Sequence, residues 1–86
     1  MSTRFDWMQS GDETILQGLS TEQAEYLPLV SNRLGIHLGY AERRCEVLVR
    51  HGLVERAGDG VTYRLTERGQ SYLEGERRLR ARASDD

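Results

Sequence analysis

Glycines punctuate one stretch of this chain so closely that few folds can accommodate it. In "VSNRLGIHLGYAERRCEVLVRHGLVERAGDGVTYRLTERG", Ala41, Cys45 and Leu48 recur at spacings of four and three, bracketed by Gly35 and Gly52. That spacing lines the three up on one inward helical stripe, and Gly52 suits the helix end. Directly behind it, Val61, Tyr63 and Leu65 alternate with Thr62 and Arg64, and "GDG" supplies a tight turn. Alternation of this kind is the period of a half-buried strand, so the segment reads as a hairpin. A helix over residues 38–51 therefore runs straight into a β-hairpin.

The flanking segments complete the order. Residues 12–19 form a first helix, capped by Asp12, with Ile15, Leu16 and Leu19 on its apolar stripe and Trp7 and Met8 folded against its start. Glu25, Tyr26 and Leu27 suit a very short strand. Pro28 opens a second helix to Leu34, burying Val30 and Leu34, with Ser31 small enough for another helix to approach and Ile36 buried in the turn. Thr66 caps a last helix to about residue 83, in which Gly69 is a cost offset by close packing. The result is mainly α with a small β-hairpin, a winged helix-turn-helix. It is one domain over residues 1–86, with 1–6 and 83–86 expected to fray.

The net charge of −2 argues against a nucleic-acid partner until its distribution is read. Residues 1–32 sum to −4, whereas residues 33–82 carry eleven arginines against seven carboxylates. The excess positive charge thus covers the third helix, the hairpin and the last helix, and local charge governs contact with DNA. All twelve basic residues are arginine, which fits codon bias in a GC-rich genome or a salt-adapted proteome. Cys45 is the lone cysteine, so an internal disulfide is excluded and a reducing cytoplasm is expected. The N-terminal residues lack the apolar run of a secretory signal, and no window is long enough to cross a membrane.

In a helix-turn-helix the second helix props the third, which enters the major groove, while the hairpin reaches the flanking backbone. Double-stranded DNA is the expected partner, and the contact set is His37, Leu38, Gly39, Tyr40, Glu42, Arg43 and Arg44 on the third helix, with Arg56 and Arg64 on the hairpin. Arg43 lies on the outward face, where it can fork onto guanine, and Arg44 flanks the inward stripe, where it can reach phosphate. Tyr40 packs against the second helix or offers its hydroxyl to phosphate. Asp59 at the hairpin tip opposes deep entry into the minor groove, because phosphate repels it. Arg77, Arg78, Arg80 and Arg82 read as a solvated face. One reading helix discriminates poorly, so a twofold homodimer is expected, with Trp7, Ile15, Leu16, Tyr72, Leu73 and Leu79 as its apolar surface.

Other chemistries lack their residues. There is no glycine-rich phosphate loop, nucleophile elbow or paired carboxylate–histidine set, so the chain is not read as an enzyme. His37, Cys45 and His51 do not cluster as metal ligands, and neither a cofactor nor a small-molecule effector site is evident. The alternative is a protein-interaction module on the same fold, favoured if Leu38, Gly39 and Tyr40 form a flat apolar patch.

"WM" before an acidic first helix, "YAERRCEVL", "HGLV" and "YRLTERG" span roughly residues 7–75. In these the chain resembles the haloarchaeal winged-helix proteins related to the phage phi-H repressor. The resemblance implies a small DNA-binding transcriptional regulator, a repressor acting as a homodimer, and a salt-adapted origin for the missing lysines. Where such proteins usually place a small hydroxyl residue and polar residues at the start of the third helix, this chain carries His37, Leu38 and Gly39.

Overall fold

The chain's computed structural model describes residues 5–58 and 60–84. The expectations for Asp59 and for the outermost terminal residues lie outside them. Helix α1 (Ser10–Gly18) starts earlier than its sequence suggests. Its N-cap is the extended Gln9, and Asp12 sits in the first turn, accepting the Gln9 N–H at 2.9 Å. Asp12 therefore caps by reaching back, where the helix dipole favours a carboxylate. Ile15 and Leu16 on the same stripe are fully buried.

Strand β1 (Glu25–Tyr26) leads directly into α2 (Leu27–Leu34), with Pro28 in its first turn. Gly35 ends α2 in the left-handed conformation, φ 71°, and the Ile36 N–H returns to the Ser31 carbonyl at 3.0 Å. This turn aims α3 (Leu38–Arg50), whose Ala41, Cys45 and Leu48 are wholly buried. Burial pushes the Cys45 thiol up to about 12, so it stays protonated and behaves as a small apolar core group.

Strands β2 (Val54–Arg56) and β3 (Thr62–Leu65) form the expected hairpin. β1 adds a third antiparallel strand, in the order β1-β3-β2. Glu25 pairs with Tyr63 on one side of β3, and Glu55 pairs with Arg64 on the other. Tyr63 and Leu65 face the core, so the wing is fastened to the helices by its inner face.

Helix α4 (Glu67–Ser84) follows. The Thr66 hydroxyl donates to the Gly52 carbonyl at 2.6 Å and accepts the Gly69 N–H at 3.0 Å. A Cβ at position 69 would lie 2.2 Å from the Leu53 carbonyl oxygen, so close packing dictates glycine there. α4 packs on α1 and β3, and the molecule's extents are 45 × 24 × 22 Å.

Candidate nucleic-acid interface

Helix α3 is gripped from behind by α1 and the segment before it. At its start, the Tyr40 hydroxyl donates to Gln9 Oε1 at 2.8 Å. A Cβ at Gly11 would fall 2.6 Å from the Tyr40 ring. Tyr40 thus packs on α1, not on α2 as its sequence position suggested, because glycine leaves room for an aromatic ring there. At mid-helix, Arg44 donates through Nε and a terminal nitrogen to the two oxygens of Asp12, both at 2.7 Å, and to the Trp7 carbonyl at 3.4 Å. Asp12 has 0% side-chain exposure and Arg44 only 14%. The hydrogen bond to Asp12 raises the Arg44 pKa against the opposing effect of burial. At the far end, the Trp7 ring stacks on His51 with centroids 3.8 Å apart, and Phe5 stacks on both Trp7 and Tyr72.

These contacts correct one sequence expectation. Arg44 is not placed for phosphate: its fork is spent on a buried carboxylate, and the pair locks α3 onto α1.

The outward face of α3 carries Gly39, Glu42, Arg43, Glu46 and Arg50. His37 is the N-cap, its Nδ1 accepting the Gly39 N–H at 3.2 Å, and Leu38 beside it is 36% exposed. Arg43 is exposed and makes no hydrogen bond or ion pair among the described residues. Between this face and the wing lies a shallow cleft of about 360 Å³, lined by Gly39, Glu42, Arg43, Glu46, Arg56, Val61 and Tyr63. Arg56 spans it, donating to Glu46 at 3.3 Å with its guanidinium carbon 5.9 Å above the Tyr63 ring. Arg64 donates twice to its cross-strand neighbour Glu55, at 2.9 and 2.6 Å. The structure therefore brings Gly39, Glu42, Arg43 and Arg56 around one cleft, while His37 and Leu38 stand at the start of the same helix. It sets Arg64 on the wing apart from them and turns Tyr40 and Arg44 inward.

The apolar set assigned to a subunit interface is corrected as well. Ile15 and Leu16 are 0% exposed, Tyr72 8% and Leu73 4%, so all four close the monomer's own core. Trp7 is half-buried in its stack on His51, and Leu79 is the remaining half-exposed member, on the outer part of α4.

Sequence reasoning overlooked Gln9 as the partner of Tyr40, Asp12 as that of Arg44, and Glu46 and Glu55 as those of Arg56 and Arg64. Asp12 and Arg44 each carried a signal, since each sits within its helix's apolar stripe. Among the described residues no His, Cys, Asp or Glu cluster could hold a metal ion, and no helix is long and apolar enough to cross a membrane.

A family model described as the winged helix-turn-helix phage repressor matches residues 1–81. No curated protein matches the chain. The chain is similar to the crystal structure of a MarR family transcription regulator, with a TM-score of 0.78 and 25% identity over 91% of its own length. It spans only 55% of that protein. Four helices, a three-stranded sheet and a wing packed beside α3 agree with both matches: the chain belongs to the winged helix-turn-helix phage repressor family.

Proposed function

We propose that the chain is a sequence-specific regulator of transcription, a repressor, that binds double-stranded DNA with α3 in the major groove and the β2–β3 wing on the flanking backbone. The observation that carries this reading is Arg43, an exposed and unpaired guanidinium on the outward face of a helix whose other face is locked in place. Fixed geometry with a free fork is what guanine recognition requires. Arg56 and Arg64 supply phosphate contacts once they leave their carboxylate partners. His37, Leu38, Gly39 and Glu42 line the approach.

The reading extends to a homodimer in the cytoplasm of a salt-adapted archaeon, which the arginine-only basic set fits. A protein partner on the start of α3 is disfavoured, because Tyr40 turns to α1 and leaves Leu38 without an apolar patch. Selection of bound fragments from random duplex DNA, at one fixed salt concentration, tests the function. A reproducible motif is expected, and Arg43→Ala should weaken its binding and relax one base position. Failure to retain any duplex at low salt would overturn the reading.

A further inference from the structure

On the groove-facing side of α3, a carboxylate holds the wing's arginine. Glu46 lies three residues after Arg43 and lines the same cleft, and its Oε1 accepts from Arg56 across that cleft at 3.3 Å. Both side chains of the pair are more than half exposed, at 54% and 55%. An exposed pair is weak and exchanges readily. Arg56 keeps a second support in the Tyr63 ring beneath it, so its position does not depend on Glu46 alone.

A carboxylate carried into a major groove meets the repulsion of two phosphate strands. It tolerates that position only where it accepts a hydrogen bond from a base, and cytosine N4 is the donor best suited to it. We propose that Glu46 is a specificity-determining residue: on the correct duplex it exchanges Arg56 for a cytosine amino group and releases Arg56 to phosphate. On other sequences Glu46 finds no donor. It then keeps Arg56 occupied, so the wing contributes little to non-specific binding. This inference rests on the DNA-binding reading and adds how that site rejects wrong sequences.

The test measures affinity of the purified full chain for a selected duplex and for a random duplex of equal length, each across a salt titration. Each cytosine of the selected site is also replaced in turn by thymine, which presents an acceptor in place of the amino donor. In the wild type, one replacement should cost at least about fivefold, and Glu46→Ala, which removes the acceptor, should abolish that sensitivity. E46A should also bind random duplex more tightly, with a salt slope steeper by about one unit. Adding Arg56→Ala to E46A should remove that gain. If E46A weakens all duplexes evenly, Glu46 is only a strut between α3 and the wing and the proposal fails while the DNA reading stands. An unchanged ratio of selected to random affinity in E46A overturns it equally. If the wild type binds no duplex at all, the proposal and the DNA reading fall together.

Discussion

Arg43 and Arg44 are adjacent in sequence, but about 100° of helical rotation separates their roles. Arg44 turns inward to Asp12, and Arg43 turns outward to solvent. Removing one partner of a buried pair leaves the other charge uncompensated, a loss of about 3 kcal/mol or more. Arg44→Ala and Asp12→Ala should each lower unfolding stability by about 3 kcal/mol, and the double variant by less than the sum of the two. Arg43→Ala should stay within about 0.5 kcal/mol of wild type while weakening DNA binding. Urea denaturation beside a duplex titration separates the two effects, and equal destabilisation by both arginine variants would refute the assignment. The inward position of Arg44 was legible: residues 41, 44, 45 and 48 repeat the spacing of 12, 15, 16 and 19, so Arg44 and Asp12 both fall on buried stripes. Which acid meets which base across 32 residues of chain was not legible, because only the packing of α1 on α3 decides it.

Elements were easier to read than partners, because periodicity is a local property and pairing is not. The stripe of α3, the Thr66 cap, the turn at Gly35 and the short strand at Glu25 follow from neighbours in sequence. The carboxylates on the wing depend on register: Glu55 faces Arg64 only because β2 and β3 pair as they do. Arg64→Ala should shallow the salt slope of duplex binding by about one unit if Arg64 exchanges Glu55 for phosphate, and an unchanged slope would place it off the DNA. Helix α4 offers a cleaner contrast within one element. A methyl group at Gly69 collides with the Leu53 carbonyl, whereas at Gly75 nothing lies within 4 Å. Gly69→Ala should destabilise by about 1–3 kcal/mol through overpacking. Gly75→Ala should stabilise by about 0.5–1 kcal/mol through helix propensity. Thermal melts of the two variants shifting in the same direction would contradict the packing described for the start of α4.

The whole molecule measures 45 × 24 × 22 Å, and that small size bears on the proposed recognition of DNA. One copy presents a single α3 whose Arg43 and Arg50 are unpaired among the described residues, too few contacts to select a site among many. Two copies across a palindrome would multiply that discrimination, with half-sites about one helical turn apart, roughly 34–36 Å. Ile15, Leu16, Tyr72 and Leu73 are consumed by the core, so of the apolar set proposed for self-pairing Leu79, on the outer part of α4, is the member to test. Leu79 is half-exposed there among Arg77, Arg78 and Arg80, an apolar residue in a charged stretch. The ion pair between Arg80 and Glu13 links α4 to α1 beside it. Leu79→Glu should therefore shift the protein toward monomer in sedimentation equilibrium, leave its circular dichroism almost unchanged, and weaken binding to a palindromic duplex far more than to a single half-site. A wild type already monomeric at tens of micromolar in salt matched to its host would defeat the dimer.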